Sequence, residues 1–134
     1  MAKASILVVE DQLIVSKDIQ TRLKGMGYDV AGAVSSGEEA ISKTAETRPD
    51  LVLMDIVLKG GIDGIQAAQA IHDQSDIPVI YLTAHSDDAT LERAKVTEPR
   101  GYILKPFEDR ALRAAIELAL YQHRIKNRRP HTAS

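Results

Sequence analysis

The chain contains no cysteine. That excludes a disulfide framework and any zinc site built on thiolates, and it fits a reducing compartment, so a cytoplasmic location is expected. Excess charge of either sign is also missing: 17 Lys and Arg stand against 19 Asp and Glu, a formal net charge of −2. Nothing global therefore points to nucleic acid or to an anionic membrane surface. Long apolar runs are absent. The run Ile6–Val9 near the amino terminus is far too short for a signal peptide or a membrane span. There is no tryptophan, no internal repeat and no low-complexity segment. What remains is 134 residues of ordinary globular composition, 44% hydrophobic and 27% charged, which is the size of one domain around a single core.

Short apolar runs alternate with helical patterns. Ser5–Glu10, Tyr28–Val34, Asp50–Asp55, Ile77–Thr83 and Arg100–Lys105 read as strands. A first helix follows from Leu13 to Gly27, with Ile14, Ile19 and Leu23 near helical spacing and glycines at its end. A second opens at Ser36, an N-cap with Glu39 three residues later, the pattern of a capping box. A third covers Asp63–Gln74, and a fourth covers Ser86–Thr97 and is closed by Pro99. The last and longest covers Phe107–Asn127. Five such βα units with near-continuous apolar strands specify an α/β fold with a parallel sheet covered on both faces. Right-handed crossovers make it doubly wound, and the common five-stranded solution is the flavodoxin-like order 2-1-3-4-5. Residues 1–126 are expected to form this domain, with 127–134 as a basic, disordered tail or the remnant of a linker.

In such a sheet, ligands bind at the carboxyl ends of the strands, where the winding reverses between strands one and three. The residues that end the strands are Glu10 and Asp11, Asp55, Thr83 and Lys105. Asp55 is the single polar residue in Leu51–Ile56, and an unpartnered carboxylate there would be costly to bury. Strands lie about 4.8 Å apart, so Asp55 neighbours Asp11, Thr83 is one strand away, and Lys105 is two strands away, roughly 10 Å at the backbone. Three carboxylates in one crevice repel one another, and a cation removes that penalty. All-oxygen ligands suit a hard metal, and Mg²⁺ is the natural choice. Taken singly, each residue has a plainer reading: a turn former or helix cap for the acids and Thr83, a solvated charge for Lys105. Their joint placement on four strand ends is what the plainer readings do not explain.

The segments "ILVVEDQ", "PDLVLMDI", "DGI", "IPVIYLTA" and "GYILKPF", in this order and spacing, resemble the receiver domains of two-component response regulators, and the resemblance runs from about Ala4 to Arg124. It implies a phosphoacceptor switch rather than an enzyme acting on a separate substrate. Asp55 would accept a phosphoryl group from a phosphohistidine of a sensor histidine kinase or phosphotransfer protein. Glu10 and Asp11 would be the acidic pair for Mg²⁺, joined by Asp55 and the backbone carbonyl of Val57. Thr83 would be the switch hydroxyl, Lys105 the ion partner of the phosphoryl group, and Tyr102 the aromatic switch residue. The Lys105–Pro106 peptide would be cis. Tyr102 has the opposite strand parity to Lys105 and should face away from it.

Two departures stand out. Lys59 occupies a position where the family commonly carries proline, and "KGGIDG" is one residue longer than usual before Asp63–Gly64. Val57 and His85 occupy positions that tune dephosphorylation in the family. Other readings of the fold are a flavodoxin-like cofactor binder, disfavoured by the acidic first loop, an aspartate-nucleophile phosphatase, disfavoured by Val57 two residues after Asp55, and a degenerate receiver acting only through protein contact. His72, His123 and His131 are expected at the surface. On the last helix Leu112, Ile116, Ala119 and Leu120 should face the core, leaving Leu118, Tyr121 and Ile125 as a second apolar stripe. That stripe suggests weak pairing of two copies through the face made by the fourth helix, fifth strand and fifth helix. The basic tail is too short to form a DNA-binding module, so no direct nucleic-acid contact is expected.

Overall fold

The computed structural model describes residues 3–84 and 87–128. Its elements in chain order are β1 (Ser5–Val9), α1 (Leu13–Gly25), β2 (Asp29–Val34), α2 (Gly37–Thr47), β3 (Leu51–Asp55), α3 (Gly64–Gln74), β4 (Val79–Thr83), α4 (Asp88–Val96), β5 (Gly101–Leu104) and α5 (Asp109–Arg128). The sheet is parallel throughout and ordered β2-β1-β3-β4-β5, as the alternation of strands and helices predicts. α5 continues to Arg128; the remainder of the expected tail, and His85 and His131, lie outside the described residues.

Alternate strand residues feed two cores. Ile6, Val8, Leu51, Leu53, Ile80, Leu82 and Ile103 pack with Ile19 and Leu23 of α1 and with Leu112, Ile116, Ala119 and Leu120 of α5. On the other face, Leu7, Val9, Val52, Met54 and Tyr81 pack with Ala40 of α2, Ile65, Ala68 and Ile71 of α3 and Ala94 of α4. The inner strands are buried on both sides, which is why they read as continuous apolar runs.

Three local expectations need correcting. Ile14 does not join the buried face of α1: it is 83% exposed, and Ser16, Ile19 and Leu23 form that face. Ile14 lies five positions before Ile19, about 140° around the helix, so the two cannot share a narrow stripe. His123 is half-buried beside the sheet's amino-terminal end rather than on the surface. The Ser36 side chain does accept from Glu39 N–H (3.1 Å), but the Glu39 carboxylate returns to Ser35 N–H (3.2 Å) and the Ser36 hydroxyl (3.2 Å). A full capping box opens α3 instead: Asp63 Oδ1 accepts from Gln66 N–H, and Gln66 Oε1 accepts from Asp63 N–H, both at 2.9 Å.

Tyr81 is fully buried on β4 and its hydroxyl lies 2.7 Å from Thr97 Oγ1. The Thr97 hydroxyl donates to Ala94 O (2.7 Å), so Tyr81 is the donor in this pair. Burial pushes the Tyr81 hydroxyl from 10.0 up to about 12. Below pH 10 both folded and unfolded chains keep the proton; between pH 10 and 12 the unfolded chain loses it first. Stability is therefore expected to fall across that window by about 2 kcal/mol from this residue. Melting curves against pH should show a smaller alkaline loss in Tyr81→Phe; an unchanged loss would remove Tyr81 as a contributor.

Candidate functional site

The register brings the strand ends together. Val9 pairs with Met54, so the chain leaves β1 through Glu10 and Asp11 beside Asp55 at the end of β3. Asp55 pairs with Leu82, the residue before Thr83, and Thr83 pairs with Leu104, the residue before Lys105. Lys105 N–H donates to Thr83 O (2.8 Å), which continues the β4–β5 ladder up to the lysine. The Lys105–Pro106 peptide is cis.

The side chains then converge. Lys105 Nζ donates to Glu10 Oε1 (2.8 Å) and to Asp55 Oδ2 (3.1 Å), so one ammonium bridges the ends of β1 and β3. Gln12 N–H donates to the other oxygen of Glu10 (3.1 Å). Glu10 and Asp55 are buried, and Asp11 is half-buried. Carboxylate oxygens of Glu10, Asp11 and Asp55 lie within 4.8 Å of one another. Burial pulls the Lys105 ammonium down, but its bond to Glu10 and the charge of Asp55 outweigh that, so its pKa is raised. One ammonium faces three carboxylates, and the uncompensated negative charge with hard oxygen donors fits a divalent cation. The donor set is the kind Mg²⁺ uses.

Thr83 is fully buried next to this cluster. Tyr102 is half-buried on the opposite face of β5 from Ile103, its ring edge-on to Tyr81 with centroids 6.4 Å apart. It faces away from Lys105, as its parity predicts. The main chain at Val57 leads out of β3, and Val57 N–H lies 3.4 Å from Asp55 Oδ1.

Several residues that shape the site were not singled out from sequence. Arg22 of α1 stacks on Phe107, 5.1 Å from the ring centroid, and donates to Phe107 O (3.1 Å), which ties α1 to the segment after Lys105. Arg93 of α4 donates to Asp63 Oδ2 (2.7 Å), and Glu38 of α2 accepts from Gly61 N–H (3.0 Å). Gly64 opens α3 directly against the main chain of Asp55 and Ile56. An alternating pattern gives no sign of any of these, because each depends on where a loop passes.

Residues 6–117 match the family described as the response regulator receiver domain. The chain belongs to that family. The receiver domain is 35% identical over 119 residues to the transcriptional regulatory protein PdtaR of Mycobacterium tuberculosis, a match spanning 89% of this chain and 58% of that protein. It is 34% identical over 131 residues to the phyllosphere-induced regulator PhyR of Methylorubrum extorquens, spanning 96% of this chain and 48% of that one. This receiver chain thus spans roughly half the length of these relatives. Among solved structures, the signal receiver domain of a modulated diguanylate cyclase from Desulfovibrio desulfuricans superposes with a TM-score of 0.89 at 34% identity, covering 93% of this chain and 99% of that one. A CheY-like receiver domain protein from Methanospirillum hungatei shares the fold at 21% identity, with a TM-score of 0.87 over 93% of this chain and 99% of that one. Such a domain is a signalling module. Among the described residues no helix is long and apolar enough to cross a membrane.

Proposed function

We propose that this receiver domain takes a phosphoryl group onto Asp55 from the phosphohistidine of a sensor histidine kinase or phosphotransfer protein, and that residues 1–126 suffice for this. The observation that carries the reading is the bridge of Lys105 between Glu10 and Asp55, with the oxygens of Asp11 close by. A carboxylate oxygen of Asp55 attacks phosphorus; the P–O bond forms as the P–N bond breaks, and the electron pair returns to the imidazole nitrogen. The transferring group is metaphosphate-like, so positioning and neutralisation of its oxygens do most of the work. Lys105 is the cation that the chain itself brings to those oxygens. Glu10, Asp11, Asp55 and the Val57 carbonyl would hold Mg²⁺, and the metal would supply further neutralisation. The only chemistry catalysed is the domain's own phosphorylation and dephosphorylation. A kinase partner of this kind places the domain in the cytoplasm.

The phosphoryl group adds close to two negative charges and three acceptor oxygens. The Thr83 hydroxyl turns toward them, Tyr102 follows, and the surface of α4, β5 and α5 changes its preferred partner. That surface carries exposed Leu104, Leu118, Tyr121 and Ile125, an apolar area suited to weak pairing of two copies.

Incubation with Mg²⁺ and a small phosphodonor should add one acid-stable, base-labile phosphoryl group, seen by intact mass, and none to Asp55→Asn. Equal labelling of the variant sinks the assignment. The same samples report the output: Tyr102 ring resonances should shift on phosphorylation, and less so in Thr83→Ala. Sedimentation should show more dimer after phosphorylation; monomers throughout remove the pairing.

A further inference from the structure

The segment between β3 and α3 is held by three consecutive residues of a different element. Lys59 pairs with Ser36 in an isolated parallel bridge. Gly61 N–H donates to Glu38 Oε2 (3.0 Å). Ile62 lies over Gly37 so closely that a Cβ there would stand 2.7 Å and 2.9 Å from its side-chain carbons. Ser36, Gly37 and Glu38 are the N-cap and first turn of α2. The fit also depends on the loop's own glycines. Gly60 has φ +108°, and a Cβ on either Gly60 or Gly61 would stand 3.0 Å from the Glu38 carboxylate. A stretch with two glycines loses much conformational freedom when it is ordered, so its path is set by what grips it.

An acidic residue in a first turn has an ordinary role, since it suits the positive end of the helix dipole. That role does not require the bond to Gly61, which lies 23 positions away in sequence. We propose that Glu38 is a positioning residue for the cation site. By holding Gly61 it fixes the path of the segment from Asp55 to α3, and with it the Val57 carbonyl that the proposed function assigns to the cation. This rests on the reading of the site as a Mg²⁺-dependent phosphoacceptor.

Glu38→Gln and Glu38→Ala separate the two roles. Both remove the charge from the helix terminus; only the glutamine keeps an acceptor oxygen for Gly61. Mg²⁺ titration followed by amide NMR should show affinity about fivefold weaker in Glu38→Ala, less than the roughly ten- to hundredfold typical of groups bonded directly to a metal ligand. Glu38→Gln should stay within about twofold of wild type. Amide exchange at Gly61 should quicken in the alanine variant alone. Both variants should stay fully folded at the titration temperature by melting curves, so global unfolding cannot mimic the split. Wild-type affinity in Glu38→Ala, or equal weakening in both variants, overturns the proposal while leaving the phosphoacceptor reading intact. Absence of Mg²⁺ binding in wild type at Asp11 and Asp55 overturns both.

Discussion

Lys105→Met is expected to lower the stability of the metal-free protein by about 2–3 kcal/mol, and Mg²⁺ is expected to restore most of it. Methionine keeps the packing of the lysine stem and deletes the ammonium. Glu10 is 3% exposed and Asp55 8%, and the ammonium is the partner of both. Removing one member of a buried ion pair leaves the other uncompensated, which typically costs about 3–5 kcal/mol. The Lys105 side chain is 23% exposed, so solvent screens part of that cost. In wild type the folded-state pKa of Lys105 is raised above 10.5, so its contribution is complete below that pH and disappears as pH rises through the raised value. A cation binding only the folded chain adds about 2.7 kcal/mol at one hundred times its dissociation constant. In wild type the ammonium repels the metal; in the variant it does not. Mg²⁺ should therefore raise the melting temperature more in Lys105→Met than in wild type. Thermal melts with and without Mg²⁺ decide it. Equal metal shifts in the two proteins would mean that Lys105 and the cation do not share these carboxylates.

The strand ends could be read from sequence because each follows an apolar run whose end is marked by a polar residue. Asp55 after Leu51–Met54 and Thr83 after Val79–Leu82 are such cases. Sheet order then follows from right-handed crossovers, so the meeting of Glu10, Asp11, Asp55 and Lys105 needs no detail of side-chain packing. Ile14 shows the limit of the method. This apolar residue in the first turn of α1 is exposed, and periodicity alone assigns it to the core. The contacts that grip the site lie further from reach. Arg22 meets Phe107 across 85 positions, Arg93 meets Asp63 across 30, and Glu38 meets Gly61 across 23. Each involves a long polar side chain whose partner is set by a loop's course. Even there the sequence left a sign: two adjacent glycines in a loop that follows a buried carboxylate ask for something that lies against them.

Gly64→Ala is expected to destabilise the domain by about 3 kcal/mol or more and to disturb Asp55 itself. A Cβ on Gly64 would overlap the carbonyl oxygen of Asp55, and it would stand 2.9 Å from both the Asp55 carbonyl carbon and Ile56 Cα. All three atoms are backbone, so no side chain can swing aside to relieve the contact. Gly64 N–H also donates to Ile56 O (2.8 Å), which fastens the start of α3 to the end of β3. Making room means moving one or the other. α3 cannot retreat freely, because Ile65, Ala67, Ala68 and Ile71 are buried in the core. β3 cannot yield freely, because it is paired with β1 and β4. The strain therefore reaches the main chain of Asp55 directly. Gly25→Ala is the matched comparison: Gly25 ends α1, and a Cβ there meets nothing within 4 Å. Alanine is the better helix former, so that change should be neutral or stabilising by up to about 1 kcal/mol. Denaturant unfolding of both variants, with phosphodonor labelling of each, separates loss of fold from loss of a site. If Gly64→Ala unfolds within about 1 kcal/mol of wild type and labels at the same rate, the backbone contact is absorbed elsewhere and the loop does not depend on glycine at its end.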